Sequence, residues 1–147
     1  MAINFTMENE EYAKNLGVGE YIGTISNTAM LRSEQGYYYV QIDVQAQVDN
    51  EVRQTNRKYF IDTNYSSERR RKYDKALLDT LLRDFGLKYS NEVEFRNCLN
   101  NLISKKVKVV ITESEQKNQY GKNYLNKNIS AYKEDTKLHE IEDFIYS

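Results

Sequence analysis

The sequence predicts a mainly β protein of the α+β class, with five strands in a small barrel and one or two helices between strands 3 and 4. Residues 38–48 alternate between apolar and polar side chains, which is typical of a half-buried strand. Strand-like segments flank it, and apolar residues at helical spacing occur between residues 66 and 103. At 147 residues, the chain is long enough for one such domain and too short to expect two.

The first three strands are predicted to form a meander. Glu20–Leu31 is the first strand, and Gly23 within it indicates a bend or bulge. The alternating strand places Tyr38, Val40, Ile42, Val44, Ala46 and Val48 on an apolar face, with Tyr37 and Tyr39 on the polar side. A turn at Asp49-Asn50 leads to a third strand at Val52–Ile61.

Two helices and a hairpin follow. One helix is predicted to begin at the serine pair 66–67 and to end at Phe85, before Gly86. Asn91, with Glu94 three residues later, predicts the start of a second helix, whose Cys98 lies against the core. A fourth strand at 105–112 and a last strand ending near residue 132 surround a turn at 118–121.

Charge is distributed unevenly along the chain. The formal net charge is −1, yet residues 21–133 contain 19 Lys and Arg against 13 Asp and Glu, a net +6. We therefore expect an acidic N-terminal arm (1–18), a basic domain (19–133) and an acidic C-terminal tail (134–147). A basic domain favours a polyanionic ligand.

Several function classes are not expected. One cysteine excludes an internal disulfide, and one histidine argues against a zinc site. His139 is isolated in the acidic tail, and the glycines are too dispersed for a phosphate-binding loop. The sequence thus predicts a protein that is not an enzyme and needs no cofactor or metal. The absence of a long apolar segment or a leader predicts a cytoplasmic protein without a membrane partner.

Tyrosines recur beside cations on the predicted strands, a combination that suits single-stranded nucleic acid because bases stack on rings while cations contact phosphates. The candidate stacking residues are Tyr37, Tyr39, Tyr59 and Tyr124. The candidate phosphate contacts are Arg32, Arg53, Arg57, Lys58, Arg69, Arg70, Arg71, Lys122 and Lys127.

Each candidate also has a purely structural interpretation. Tyrosine is a good strand former, and Tyr59 is the least certain of the four because its neighbours Phe60 and Ile61 cannot both face inward. The basic run 69–72 opposes the dipole at a helix N-terminus, which suggests an anion there, although such runs are often only solvated.

The predicted order of strands and helices is that of the OB-fold, a Greek-key barrel that binds oligonucleotides on one face and through its 1–2 and 4–5 loops. Here those loops would be 27–36 and 113–122.

Three segments carry a resemblance to a known family: Gly19-Glu20-Tyr21, the apolar strand after Gly36, and Leu102–Val109 before the Tyr120-Gly121-Lys122 turn. Over residues 19–133 the chain resembles the OB-fold single-stranded-DNA-binding proteins of phages and mobile genetic elements of Gram-positive bacteria. The resemblance implies action in DNA replication or recombination, with a replication or recombination protein as partner. It leaves homo-oligomer formation open, since the chain has no tryptophan and lacks the long linker of common bacterial single-strand-binding proteins.

The tail combines acids with large apolar residues, and two interpretations remain open. Glu142, Asp143, Phe144 and Ile145 are candidates for binding a partner protein, or the segment docks on the domain through its apolar residues. The rival to DNA binding is an OB-fold protein-interaction module, such as a replication accessory protein or an inhibitor of a host protein.

Overall fold

The computed structural model describes residues 14–117, 121 and 123–133. Within them, six strands form one sheet: β1 (Lys14–Asn15), β2 (Gly19–Arg32), β3 (Tyr38–Val48), β4 (Glu51–Tyr59), β5 (Lys106–Lys117) and β6 (Asn123–Ala131). Two helices, α1 (Glu68–Asp84) and α2 (Glu92–Leu102), lie between β4 and β5. The prediction of a mainly β fold with helices at this point is confirmed.

The sheet has the order β1-β4-β3-β2-β5-β6. β2 is its central strand, since Gly19–Thr24 pairs with β5 and Thr24–Arg32 pairs with β3, both antiparallel. The sheet curls until β4 and β6 approach each other, although no ladder joins these two strands in the described residues. The result is a half-barrel that is open between β4 and β6.

β1 is a strand that the sequence did not predict. It pairs in parallel with β4, with Lys14 opposite Arg53, and the following Leu16 is buried in the core. Part of the expected N-terminal arm therefore packs on the domain. Residues 1–13 and the tail 134–147 lie outside the described residues.

Gly23 has a different role from the one predicted. The irregularity in β2 falls between Ile25 and Asn27 rather than at the glycine. A Cβ atom on Gly23 would lie 2.7 Å from the backbone oxygen of Gln45 and 2.7 Å from Val44 Cγ1. Glycine is required here because β3 passes too close for any side chain.

The core lies between the inner face of the sheet and the two helices. β3 and β5 contribute alternating buried residues, and the helices contribute a leucine-rich stripe, as their periodicities predict. The main members are Val40, Ile42, Val44, Val107, Val109, Ile111, Leu78, Leu81, Leu82, Leu99 and Leu102. Cys98 is buried with them, as predicted.

The local signals that predicted the turn at 49–50 and the two helix caps are confirmed, whereas the predicted turn at 118–121 lies mostly outside the described residues. The Ser67 side chain accepts a hydrogen bond from Arg70 N, and Asn91 Oδ1 accepts one from Glu94 N. Asp49 and Asn50 have φ values of 50° and 66°, as in the two-residue hairpin turn that joins β3 to β4.

The loops are shorter than predicted. Residues 27–32 belong to β2 and residues 113–117 to β5, so both strands extend into the expected 1–2 and 4–5 loops. Neither of the two helices in the described ranges is long and apolar enough to cross a membrane.

A candidate nucleic-acid interface

Four aromatic rings meet on the outer face of the half-barrel, where β3 begins and β4 ends. Phe60 and Tyr65 are stacked, with centroids 4.8 Å apart and an interplanar angle of 20°. Tyr39 lies 5.4 Å from Phe60, and Tyr37 meets Tyr65 edge-on at 5.4 Å. All four residues are half-buried, so part of each side chain remains accessible. We call this group the aromatic cluster.

The backbone around the cluster is fixed by Asp62. Its Oδ2 accepts a hydrogen bond from Tyr38 N at 2.9 Å, and its Oδ1 accepts one from Asn64 N at 2.9 Å. These backbone donors hold the pKa of Asp62 below its ordinary value. Since Tyr65 N also donates to Asp62 O, the segment that presents the Tyr65 ring is tied to the start of β3.

A second anchor is the fully buried carboxylate of Asp74 on α1. It accepts hydrogen bonds from Phe60 N at 2.8 Å, Arg57 Nη2 at 3.0 Å and Arg70 Nε at 3.1 Å. Arg57 also lies over the ring of Tyr59, with Cζ 4.1 Å from the centroid. The backbone of Phe60 is therefore attached to both β4 and α1.

Cations lie beside the rings. Lys58 Nζ is 5.3 Å from the centroid of Tyr39, and Arg70 Cζ is 5.8 Å from that of Phe60. Lys58 and Arg70 are both exposed, so their charges remain accessible beside the aromatic cluster.

A cleft of about 810 Å³ continues from the cluster between β4, α1 and β6. Lys58, Phe60, Arg70 and Tyr73 line one side, and Leu125–Asn128 line the other. Lys127 is half-buried there, and burial lowers its pKa, with a further contribution from the charge of Lys58. The arrangement places positive charge and the rings of Phe60 and Tyr73 along one groove that adjoins the cluster, which suits an anionic chain that carries flat groups.

Six of the predicted site residues lie at this groove or at its aromatic end: Tyr37, Tyr39, Arg57, Lys58, Arg70 and Lys127.

Tyr59 was predicted to stack on a base, but the structure places it in the core. Its side chain is 1% exposed and belongs to the core, where burial raises its pKa to about 12. It cannot offer a ring face to a base. Arg57, whose side chain is 12% exposed, is likewise engaged by Asp74 inside the fold.

Other predicted contacts lie elsewhere. Arg53 is on the distant half of β4 and pairs with Glu51, and Arg32 lies over the ring of Tyr38. Tyr124 is 52% exposed on β6, and none of the ring contacts of the cluster involves it. The predicted residues Lys122, Glu142, Asp143, Phe144 and Ile145 lie outside the described residues.

The basic run on α1 has mostly local partners. Glu68 pairs with Lys72 at 3.1 Å and with Arg71 at 3.8 Å, while Arg70 pairs with Asp74. Arg69 is exposed and has no ion pair with the described part of the chain. The carboxylates of Glu68 and Asp74 therefore offset much of the positive charge in the run 69–72, for which the sequence suggested an external anion.

Three residues of the site were missed in the sequence: Phe60, Tyr65 and Asp74. The signal for Phe60 was its position next to Tyr59, because only one of two consecutive strand residues can face the core. The register places Val40 opposite Tyr59, which turns both residues inward and leaves Tyr39 and Phe60 on the outer face.

No protein-family model matches this chain, and no curated protein matches its sequence. Function is therefore inferred from the site itself.

Proposed function

We propose that the protein binds single-stranded DNA without catalysing a reaction, by stacking bases on the aromatic cluster and by contacting phosphates from the neighbouring cations. The observation that carries the proposal is that the cluster of four half-buried rings adjoins a groove lined by its member Phe60 and by Lys58, Arg70 and Lys127. Stacking tolerates any base because every base has a π-face, so coating a strand needs no sequence readout.

The strand order supports the finer description as an OB-fold. Leaving β1 aside, the order of the strands in the sheet is β4-β3-β2-β5-β6. The first long strand, β2, pairs with both β3 and β5, and the two helices follow the third long strand, β4. OB-fold barrels bind oligonucleotides on the face of their second and third strands. β3 and β4 occupy those positions, and the aromatic cluster lies at the end of that face.

The resemblance in residues 19–133 supports a cellular role. We propose that the protein acts in the cytoplasm during replication or recombination of a phage or mobile element, with a replication or recombination protein as a second partner. The acidic tail 134–147 is the segment proposed to contact that partner.

The decisive experiment is a titration of labelled single-stranded and duplex oligonucleotides, each longer than the roughly 4–16 nucleotides that one such domain covers. We expect tighter binding to the single strand. Its log affinity should fall linearly with log salt, at about 0.7 per contacted phosphate. Equal affinity for duplex, or affinity that is independent of salt, would contradict the proposal and favour a protein-interaction module.

The stacking role is tested by Tyr39→Ala. We expect binding to weaken by about 1–3 kcal/mol for oligonucleotides of any sequence. The matched control is Tyr38→Ala, which makes the same change in an exposed residue that points to the other side of β3. Equal losses in both variants would mean that Tyr39 has no particular role.

A further inference from the structure

Two lysines from strands that no ladder joins line the same cleft. Lys58 is the exposed outer residue opposite Gln41 in the β3–β4 ladder, and Lys127 is opposite Ile111 in the β5–β6 ladder. The curl of the sheet brings them together, since both line the cleft between β4 and β6. Burial lowers the pKa of Lys127, and the positive charge of Lys58 lowers it further.

Neither amine has a carboxylate within ion-pair distance in the described ranges. Asp43 lines an adjoining cavity of about 390 Å³ with Lys127, but its Oδ1 accepts a hydrogen bond from Gln41 Nε2 at 2.9 Å. On the α1 side, Arg70 contributes a further cation, whose Nε donates to Asp74.

Half-burying an amine beside another cation is unfavourable unless an anion offsets both charges. Every other side chain that lines the larger cleft is neutral or cationic: Asn56, Arg57, Phe60, Arg70, Tyr73, Leu77, Val110, Thr112, Leu125, Asn126 and Asn128. The cleft thus provides positive charge and amide donors, and it lacks a carboxylate that would repel an anion.

We propose that Lys58 and Lys127 form a two-lysine clamp that holds a single phosphate of the bound strand in the cleft between β4 and β6. The bases on one side of that phosphate then lie on the aromatic cluster, which Lys58 also borders through Tyr39. Since a phosphate site of this kind presupposes a nucleic-acid ligand, the clamp depends on the proposed function.

The test uses the full chain and four variants: Lys58→Gln, Lys127→Gln, the double variant, and Lys105→Gln as a matched control. Lys105 is exposed and immediately precedes β5, whereas Lys127 pairs near the middle of that strand. Because the two lysines share one phosphate, the double variant should lower the salt slope for single-stranded DNA by about 0.7 in total. Two independent phosphate contacts would lower it by about 1.4.

A second readout locates the phosphate. A series of oligonucleotides is made at the shortest length that retains full affinity. Each member carries one uncharged methylphosphonate linkage, and the position of that linkage differs from one member to the next. With the wild type, we expect one position at which affinity falls by on the order of tenfold, as for loss of a charge-assisted hydrogen bond. In the double variant, that position should no longer differ from its neighbours, while Lys105→Gln should retain the wild-type profile.

Stability distinguishes a binding role from a structural one. Without DNA, Lys127→Gln should melt at a higher temperature than the wild type, because it removes a half-buried charge that faces Lys58. A lower melting temperature would overturn the clamp, as would an unchanged salt slope or a loss of about 1.4 in the double variant. If the wild type itself does not bind single-stranded DNA, the proposed function fails instead.

Discussion

Replacing Asp74 should have the largest effect on stability of any single polar substitution near the site. Its carboxylate is fully buried and accepts hydrogen bonds from Arg57, Arg70 and Phe60 N. In Asp74→Ala, the guanidinium of Arg57, 12% exposed, keeps its charge without a counter-charge. Breaking a buried ion pair in this way costs about 3–5 kcal/mol.

The other two donors change the estimate little. Phe60 N loses its acceptor, at a cost of about 1 kcal/mol. Arg70, with a side chain that is 51% exposed, can be solvated again, so we assign it no loss. We therefore expect Asp74→Ala to lower the free energy of unfolding by about 4–6 kcal/mol, or the melting temperature by roughly 8–24 °C for a chain of this size.

Urea denaturation followed by circular dichroism measures this change, with an unchanged m-value as the sign that only stability has altered. Adding Arg57→Met to Asp74→Ala should recover part of the loss, because the stranded charge is then absent. Asp84→Ala, an exposed acid in the last turn of the same helix, is the control and should leave the midpoint unchanged. A loss below about 1 kcal/mol in Asp74→Ala would mean that no buried charge is left unpaired, because such a loss is within the range of one ordinary hydrogen bond.

Three further outcomes are expected. Gly23→Ala should destabilise the fold by about 1–3 kcal/mol because its Cβ would meet β3, whereas Gly17→Ala, with open space around it, should not; thermal melting compares the two. The raised pKa of Tyr59 means that the fold favours the neutral phenol, so stability falls as pH rises from 10 towards about 12, and urea midpoints of Tyr59→Phe should fall less over that interval. The lowered pKa of Asp62 acts in the opposite sense. Its stabilisation is present above pH 3.8 and lost as pH falls through the lower value of the folded state, so Asp62→Asn should show a weaker acid dependence of its urea midpoint.

The sequence was most informative where a signal is local. The strand 38–48 was predicted with its facing correct from Val40 to Ala46 because alternation with period 2 is specified within the strand itself. The helix caps at Ser67 and Asn91 were also found, since each depends on a side chain and a backbone N–H three residues apart.

Facing could not be predicted where the alternation is weak. β4 is mostly polar, so its residues give little indication of which side is buried, and two aromatics follow each other at Tyr59 and Phe60. Only the pairing with Val40 decides that Tyr59 faces inward. Tyr59 was therefore named as a stacking candidate although its ring is buried, and its neighbour Phe60 in the aromatic cluster was missed.

Asp74 shows a different limit. A single acid in a helix gives no sign that it is buried, and its partners Arg57 and Phe60 are brought to it only by the packing of α1 on β4. The short β1 was also invisible, because two residues carry no periodicity.

The central position of β2 also bears on how the chain reaches its fold. The β3–β4 and β5–β6 hairpins join strands that are neighbours in sequence. Gly19–Thr24, in contrast, pairs with β5, which follows both helices in the sequence. Non-local pairings of this kind slow folding, because loop-closure entropy is lost before the contacts form. In pulse-labelled hydrogen exchange during refolding, the amides shared by β2 and β5 should gain protection after those of the β3–β4 hairpin. Until then, β2 and β5 present unpaired backbone edges to other chains, so refolding yield should decrease as protein concentration rises.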